Sequence, residues 1–294
     1  MKLIHLSDLH LGKRVNEFSM IDDQKHILWE ILRIIEREKP DGVIIAGDVY
    51  DRTVPSAEAV VLLDEFLVRL AEMNLQVYMI SGNHDSAERI AFGGRLMKLG
   101  GIHLSPVFDG TITPCVLEKS GEKVVIWMLP YIKPADVRHV YADEEITNYT
   151  DAVRTVINHM ELNPADRNVL VAHQFVTGAA RSESEDISVG GMDNVDASVF
   201  EVFDYVALGH IHGPQFVGRE KIRYCGTPLK YSFSEKDHVK SVTVVTMNEK
   251  GNTEIRTIPL TPKHEMREIK GTYDELTLRK NYEGTATDDY LHII

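Results

Sequence analysis

Short apolar runs alternate with helical patterns along the first part of the chain. The run KLIHLSD at residues 2–8 predicts a buried strand. Over residues 20–39 the isoleucines recur at helical spacing, which predicts a helix that ends at the Lys-Pro-Asp-Gly sequence following it. The run GVIIAGD at residues 42–48 then predicts a second short strand.

The same alternation continues to about residue 99. Pro55 and Ser56 precede an apolar stripe at helical spacing, which predicts a second helix. The run QVYMISGNHD at residues 76–85 predicts a third strand, followed by a third helix that reaches about Leu99. The β-α-β-α-β order predicts an α/β fold with a mostly parallel sheet flanked by helices.

The pattern changes in the second half of the chain. Apolar runs on both sides of Ser120-Gly121 predict a hairpin. A helix over about residues 149–160 precedes the strand NVLVAHQ at residues 168–174. Residues 176–195 are polar and predict a long loop, and loops of this length are more often functional or mobile than accidental. After DYVALGHIH, which ends at His212, four further runs predict antiparallel strands.

The pattern of hydrophobic and polar residues changes again after about residue 262. The segment at residues 264–280 predicts a strand, a turn and a short helix, and DDYLHII at residues 288–294 predicts a last strand. Because this strand has no closing element after it, the pattern suggests a second domain of which only part is present.

Composition narrows the class of protein. The 294 residues, 43% of them hydrophobic, suit one large domain or two smaller ones. Neither a transmembrane run nor a signal peptide is evident, and Cys115 and Cys225 are too far apart for a metal finger or disulfide framework. We therefore expect a cytoplasmic protein. A net charge of −13 argues against coating nucleic acid by global electrostatics, but divalent cations can bring acidic residues and phosphates together.

Polar side chains of metal-binding type follow five predicted strands. They occur in Asp8-Leu9-His10, Gly47-Asp48, Gly82-Asn83-His84-Asp85, His173 and Gly209-His210-Ile211-His212. Because the carboxyl ends of parallel strands share one edge of a sheet, we expect these side chains to meet there. Each motif alone is weak, but five motifs in order at strand ends indicate a metal site.

The side-chain types and their number indicate the chemistry. Imidazole, carboxylate and amide oxygen without cysteine suit manganese, iron or zinc, and the oxygen share favours Mn²⁺. The ligands are too many for one ion, whereas two ions about 3.5–4 Å apart and bridged by one carboxylate would use them. His84 lies beside Asn83 and is the candidate acid for the leaving oxygen.

The pair His210 and His212 allows three interpretations. Both could be satisfied polar residues at a strand end, both could bind one metal, or each could bind a different metal. The period of a strand places both on one face, which suggests one shared ion. The excess of ligands favours one metal for each histidine.

The motifs resemble those of the calcineurin-like metallophosphoesterase superfamily. Within it, IHLSDLHLGK, AGDVYDR, ISGNHDS, YVALGHIHGPQ and YCGTPLKYSFSE resemble the nuclease subunits of a DNA-repair complex, over about residues 1–260. The resemblance implies a two-sheet β-sandwich flanked by helices, with a nuclease domain at residues 1–262. It also implies that residues 263–294 begin a small α+β capping domain.

The resemblance also implies roles for individual residues. Asp8, His10 and His212 would hold one metal, and Asp48 would bridge the two. His84 would be the catalytic histidine, with Asp85 orienting it. The second metal would be held by Asn83, His173 and His210. Asp51 stands where relatives often carry a histidine, which leaves any role of that position in placing DNA open.

The implied activity is Mn²⁺-dependent hydrolysis of DNA phosphodiesters, as a double-strand exonuclease and single-strand endonuclease. DNA, an ATPase subunit and a second copy of the chain are the implied partners, and no membrane is expected. One rival is a protein phosphatase or cyclic-nucleotide phosphodiesterase with the same metal site. Another is a non-catalytic scaffold, which should have lost ligands, and none is lost here.

Overall fold

The computed structural model describes residues 1–183, 185 and 193–294. In these residues the strands, in chain order, are β1 (Lys2–Leu6), β2 (Arg14–Val15), β3 (Phe18–Ser19), β4 (Gly42–Ala46), β5 (Gln76–Ile80), β6 (Ile102–Leu104), β7 (Cys115–Lys119), β8 (Glu122–Leu129), β9 (Arg167–His173), β10 (Phe175–Val176), β11 (Asn194–Val195), β12 (Tyr205–Gly209), β13 (Gln215–Val217), β14 (Arg219–Tyr224), β15 (Ser241–Met247), β16 (Thr253–Pro259), β17 (Met266–Ile269) and β18 (Tyr290–Ile293). The helices are α1 (Ile21–Glu38), α2 (Ala57–Glu72), α3 (Ala87–Ala91), α4 (Gly94–Met97), α5 (Pro134–Val140), α6 (Tyr149–Asn158), α7 (Tyr273–Thr277) and α8 (Arg279–Tyr282).

Two six-stranded sheets are formed by the described residues. The first has the order β16-β15-β1-β4-β5-β6, in which β1, β4, β5 and β6 run parallel. The second has the order β13-β14-β12-β9-β8-β7, with the four inner strands parallel and an antiparallel strand at each edge. The predicted parallel core and the predicted hairpin β7–β8 are both confirmed.

The two sheets pack face to face and are covered by helices on their outer faces. The shared core contains apolar side chains from both sheets, such as Ile44, Ile126 and Val171, all fully buried. Helices α1 and α2 pack on the first sheet. Helices α5 and α6 pack on the second. The predicted fold class, an α/β two-sheet sandwich flanked by helices, is therefore confirmed.

Local sequence signals fix the ends of the first two helices. The α1 stripe is buried, and the helix ends where Lys39 adopts a left-handed backbone with φ 49°. Helix α2 begins after Ser56, whose side chain accepts a hydrogen bond from the Ala59 amide at 3.2 Å. This is the capping contact that serine provides at a helix N-terminus.

Two of the predicted elements differ in the structure. The third helix is not continuous: it is divided into α3 and α4, because Gly93 between them has a φ of +74°. The strands after His212 are not all antiparallel neighbours. Strand β14 runs parallel to β12, and β15 crosses back to pair with β1 of the first sheet. Hydrophobic periodicity predicts that a strand exists but does not specify its neighbour.

The predicted polar loop at residues 176–195 is bounded by a short parallel pair, β10 and β11. Of this loop, residues 184 and 186–192 lie outside the described part of the chain. Glu185, a described residue of this loop, accepts a hydrogen bond from the His212 amide at 2.7 Å.

The C-terminal segment packs on the main body. His264 Nδ1 lies 2.9 Å from an oxygen of Asp23, and the Tyr290 hydroxyl donates to the other Asp23 oxygen at 3.0 Å. Met266 joins the core beneath α1. Strands β17 and β18 pair in parallel. The domain boundary at residue 262 stays a prediction. In the described residues no helix is long and apolar enough to cross a membrane.

Candidate metal centre

The carboxyl ends of β1, β4 and β5 in the first sheet and of β9 and β12 in the second lie at one end of the sandwich. The side chains predicted as ligands follow these ends and face one another: Asp8, His10, Asp48, Asn83, His173, His210 and His212. Because the sheets pack face to face, each sheet supplies part of the set.

Glycines allow close approach at this end, between the two sheets at Gly209 and between two loops of the first sheet at Gly82. A Cβ atom on Gly209 would lie 1.9 Å from the Ala46 carbonyl oxygen and 2.7 Å from His173 Nδ1. Within the first sheet, a Cβ atom on Gly82 would lie 2.1 Å from Asp48 Oδ1, so this glycine lets the loops after β5 and β4 approach. No other residue fits these positions without displacing a candidate ligand or its support.

The backbone is strained at four of the seven candidate ligands. Asp8, His10 and Asp48 have φ between 44° and 53°, and His210 has φ 100°. Positive φ is uncommon outside glycine and costs about 1–3 kcal/mol per residue. Such strain clusters at functional sites, where the surrounding structure holds it in place.

One set of ligand atoms converges on Asn83. Its Oδ1 lies 3.0 Å from His173 Nε2 and 2.9 Å from His210 Nδ1. His173 Nδ1 donates to the Ala46 carbonyl at 2.8 Å, which leaves Nε2 facing the centre. This matches the usual support of a metal-binding histidine, whose other ring nitrogen is hydrogen-bonded.

A second set lies around Asp8, His10 and His212, whose ligand atoms are within 4.8 Å of one another. His10 Nε2 and His212 Nε2 are 3.2 Å apart. Asp8 Oδ1 accepts from the His210 amide at 2.9 Å, whereas Asp8 Oδ2 is buried without a hydrogen-bond partner among the described residues. A buried carboxylate oxygen facing two imidazoles fits a divalent cation.

Asp48 lies between the two sets. Its Oδ2 is 3.3 Å from His173 Nε2 and 3.7 Å from His10 Nε2. Burial opposes ionisation of Asp48, but the neighbouring His173 and His10 outweigh it and hold the pKa of this carboxyl well below its usual range. The carboxylate is therefore charged and placed to contact an ion in either set.

Burial and the Asp48 carboxylate shift the pKa values of the neighbouring candidate ligands. Burial raises the pKa of Asp8 to about 6. Burial opposes protonation of His173, but the Asp48 carboxylate raises its pKa to about 9. Burial lowers the pKa of His210 to about 3. The raised pKa of His173 beside the Asp48 carboxylate reflects negative charge in the centre, which a bound cation would neutralise.

His84 occupies the solvent side of the centre. Its side chain is 22% exposed, whereas that of Asp48 is 3% exposed. Its Nδ1 lies 3.1 Å from the Asp51 carbonyl, and its Nε2 is 4.0 Å from Asp48 Oδ2. The ring packs edge-on against His10 at 4.9 Å between centroids. His84 thus directs Nε2 towards the cluster from a position that solvent reaches.

Asp85 contacts the backbone of the loops around the centre. Its carboxylate accepts from the backbone amides of Val49, Tyr50 and Gly82 at 2.9–3.0 Å. These contacts hold the loops after β4 and β5 together. Burial and the nearby Asp48 raise its pKa to about 6. Asp85 therefore organises the loop that carries His84, and its role in orienting the His84 ring stays a prediction.

Several contacts to the ligands were not predicted. Glu235 Oε1 lies 3.1 Å from His212 Nδ1, and Glu185 Oε1 accepts from the His212 amide at 2.7 Å. Gln24 Nε2 donates to the His10 carbonyl at 2.7 Å and to the Tyr231 hydroxyl at 3.0 Å. The sequence signal for Gln24 was a polar residue on the buried stripe of α1; Glu235 had no signal beyond the family motif that contains it.

Comparisons with known proteins identify the family of the chain. The calcineurin-like phosphoesterase family model matches residues 1–214. Over 296 residues the chain is 32% identical to the SbcD component of the nuclease SbcCD of Staphylococcus epidermidis (strain ATCC 12228 / FDA PCI 1200), covering 99% of this chain and 78% of that protein. A dimetal phosphatase from Danio rerio has a similar fold, with a TM-score of 0.54 and 12% identity over 89% of this chain and 98% of the phosphatase. The chain therefore belongs to the calcineurin-like phosphoesterases, in the branch of the SbcD nucleases.

Proposed function

We propose that the chain is a manganese-dependent DNA nuclease that hydrolyses phosphodiesters at a two-metal centre. The observation that carries the proposal is the pair of ligand sets on either side of Asp48. The similarity to the Staphylococcus nuclease supports a nucleic acid as the substrate. The resemblance of the sequence motifs to nuclease subunits of a DNA-repair complex favours DNA. Phosphoesterase chemistry itself follows from the family.

Asp8, His10 and His212 would hold one ion, and Asn83, His173 and His210 the other, with Asp48 shared. When bound, the ions would activate a water and stabilise charge on the phosphate oxygens. The chain fixes the ligands before substrate arrives, since the Ala46 carbonyl orients His173 and Asp8 anchors the His210 amide. The absence of cysteine from the set and its carboxylate and amide oxygens favour manganese.

His84 would protonate the leaving oxygen. It reaches the solvent side, and its Nδ1 donates to the Asp51 carbonyl, which fixes the direction of Nε2. The proton on Nε2 would pass to the sugar oxygen as its bond to phosphorus breaks. Removing a positioned acid of this kind typically lowers the rate by about 10²–10⁴-fold.

The proposed setting is a cytoplasmic DNA-repair complex. We propose an SbcC-like ATPase subunit as the partner and a homodimer of this chain. The name of the Staphylococcus relative supports the complex. Cys115 and Cys225 are not joined by a disulfide, which suits a reducing compartment. Residues 1–262 would form the nuclease domain, and residues 263–294 part of a capping domain.

The test is Mn²⁺-dependent cleavage of linear double-stranded DNA by the wild type and by His84→Ala. We expect the variant to lose cutting by about 10²–10⁴-fold while it binds the same number of Mn²⁺ ions. The matched control is His139→Ala, since His139 is an exposed histidine on α5. Equal cleavage by wild type and His84→Ala would remove His84 from its assigned role.

A second measurement separates the nuclease from its rivals. The same protein is assayed with DNA ends, a phosphopeptide, a cyclic nucleotide and a small phosphodiester. A nuclease should cleave DNA at much lower substrate concentrations than it needs to cleave the small esters. Preference for the phosphopeptide or the cyclic nucleotide would instead support a phosphatase or cyclic-nucleotide phosphodiesterase, and no hydrolysis with Mn²⁺ bound would support a scaffold.

A further inference from the structure

The segment Gly226–Glu235 follows β14 and contributes none of the candidate ligands, yet it contacts the loops that carry them. At Tyr231 the hydroxyl donates to the Leu9 carbonyl at 2.6 Å and accepts from Gln24 Nε2 at 3.0 Å. Gln24 also donates to the His10 carbonyl at 2.7 Å. This half of the segment therefore supports the loop that carries Asp8 and His10.

The other half of the segment holds His212. Glu235 is fully buried, and its Oε1 lies 3.1 Å from His212 Nδ1. Lys240 Nζ contacts Glu235 Oε2 at 2.5 Å and also donates to the His212 carbonyl at 2.9 Å. It donates further to Thr227 Oγ1 at 2.6 Å. His212 is thus fixed at its ring by Glu235 and at its peptide group by Lys240.

These contacts decide which ring nitrogen faces the centre. Because Nδ1 of His212 donates to the Glu235 carboxylate, Nε2 is left to face His10, 3.2 Å away. A carboxylate behind a metal-binding histidine fixes its tautomer and makes it a stronger ligand. His173 differs, since its Nδ1 donates to the neutral carbonyl of Ala46.

We propose that Glu235, held by Lys240, is a positioning residue that selectively strengthens metal binding by the set of Asp8, His10 and His212. The proposal rests on the two-metal function proposed above. It predicts that the two metal sites differ in affinity. His212 of one set is hydrogen-bonded to the Glu235 carboxylate, whereas His173 of the other is hydrogen-bonded to the neutral Ala46 carbonyl.

A purely structural role for the buried pair predicts a different result. Buried ion pairs often contribute little relative to apolar side chains of the same size, and breaking one leaves an uncompensated charge that lowers stability. A structural pair would therefore affect unfolding but not the relative affinities of two metal sites. Metal affinity, measured site by site, separates the two roles.

The experiment is a calorimetric titration of the metal-free full chain with Mn²⁺. In Glu235→Gln we expect one of the two Mn²⁺ equivalents to weaken by about 10–100-fold, the usual effect of losing such a supporting carboxylate. The other equivalent should stay within about twofold of the wild type, since the Asn83 set keeps its supports. His212→Asn should weaken the same equivalent, and adding Glu235→Gln to it should weaken that equivalent no further.

Asp204→Asn is the matched control. Asp204 is a buried carboxylate that pairs with Lys250 Nζ at 2.6 Å and accepts from the Asn168 amide at 2.7 Å. It lies just before the start of β12, at the opposite end of that strand from the centre. This variant should lower the melting temperature but leave both Mn²⁺ affinities unchanged.

The folded state of each variant is checked by circular dichroism before titration. If Glu235→Gln does not fold, the double variant Glu235→Gln/Lys240→Met removes both buried charges and should show the same selective weakening. Two unchanged equivalents, or two equally weakened ones, in a folded variant would overturn the positioning role alone. A wild type that binds no Mn²⁺ would overturn the proposed function itself, and this inference with it.

Discussion

Gly209 is the position where the two sheets leave least room at the metal centre. Replacing it by alanine introduces a Cβ atom 1.9 Å from the Ala46 carbonyl oxygen and 2.7 Å from His173 Nδ1. Neither atom can move freely, because Ala46 ends the buried strand β4 and His173 ends β9. The substitution must therefore separate the sheets locally or displace the His173 ring.

The loss in free energy of unfolding caused by Gly209→Ala has two parts. Overpacking a well-packed interior costs about 1–3 kcal/mol. Displacing the ring also breaks the hydrogen bond from His173 to Ala46, 2.8 Å long, and leaves buried polar groups unpaired, for about 1–3 kcal/mol more. We expect Gly209→Ala to lower the free energy of unfolding by about 2–6 kcal/mol. At about 2 °C or more per kcal/mol, the melting temperature should fall by at least about 4 °C.

The assay is thermal unfolding of the metal-free protein, followed by Mn²⁺ titration. The matched control is Gly100→Ala: a Cβ atom on Gly100 meets nothing within 4 Å, and neither glycine has a positive φ. The control should unfold within about 1 °C of the wild type. A Gly209→Ala protein as stable as the control, with wild-type Mn²⁺ affinity, would refute the claim that this glycine is required for the approach of the sheets.

Three further predictions follow from the same centre and its surroundings. Asp48→Asn should weaken both Mn²⁺ equivalents in a calorimetric titration, because this carboxylate lies between both ligand sets; weakening of only one would contradict the shared role. Removing metal with a chelator should lower the melting temperature, and Mn²⁺ at about 100 times its dissociation constant should restore about 2.7 kcal/mol; a melting temperature independent of Mn²⁺ would contradict binding to the folded state. Burial and the nearby Arg223 lower the pKa of His5 to about 3. Between pH 6.5 and 3, His5 therefore binds a proton in the unfolded chain but not in the folded one. The free energy of unfolding is at its full value above pH 6.5 and falls as the pH drops towards 3, by an amount on the order of a few kcal/mol. His5→Gln should flatten that part of the stability curve, and an identical slope in both proteins would contradict this assignment.

Part of the centre could be predicted from the sequence because its geometry follows from a rule about parallel strands. Asp8, Asp48 and Asn83 follow β1, β4 and β5, which run parallel in the first sheet, and such strands end at a common edge. The rule does not bring the two sheets together. Asn83 follows β5 of the first sheet and His210 follows β12 of the second, so their contact depends on the face-to-face packing of the sheets, which hydrophobic periodicity does not specify.

The supports of the centre could not be predicted in this way. Glu235 lies in a short 3-10 turn and reaches His212 from 23 residues further along the chain. The partners of Asp85 are three backbone amides, which have no sequence signature. The return of β15 to the first sheet, which brings the segment before it to the centre, is a choice of neighbour that periodicity does not specify.

The division of the ligands between the two sheets has a mechanical consequence. Asp8, His10, Asp48 and Asn83 come from the first sheet, and the three remaining histidines from the second. Ions held by both groups would therefore act as cross-links across the sandwich. Separating the sheets would require losing them, so bound metal should slow unfolding and protect the chain from proteases. Loss of the ions would then lower the kinetic stability of the sandwich as well as empty the proposed centre.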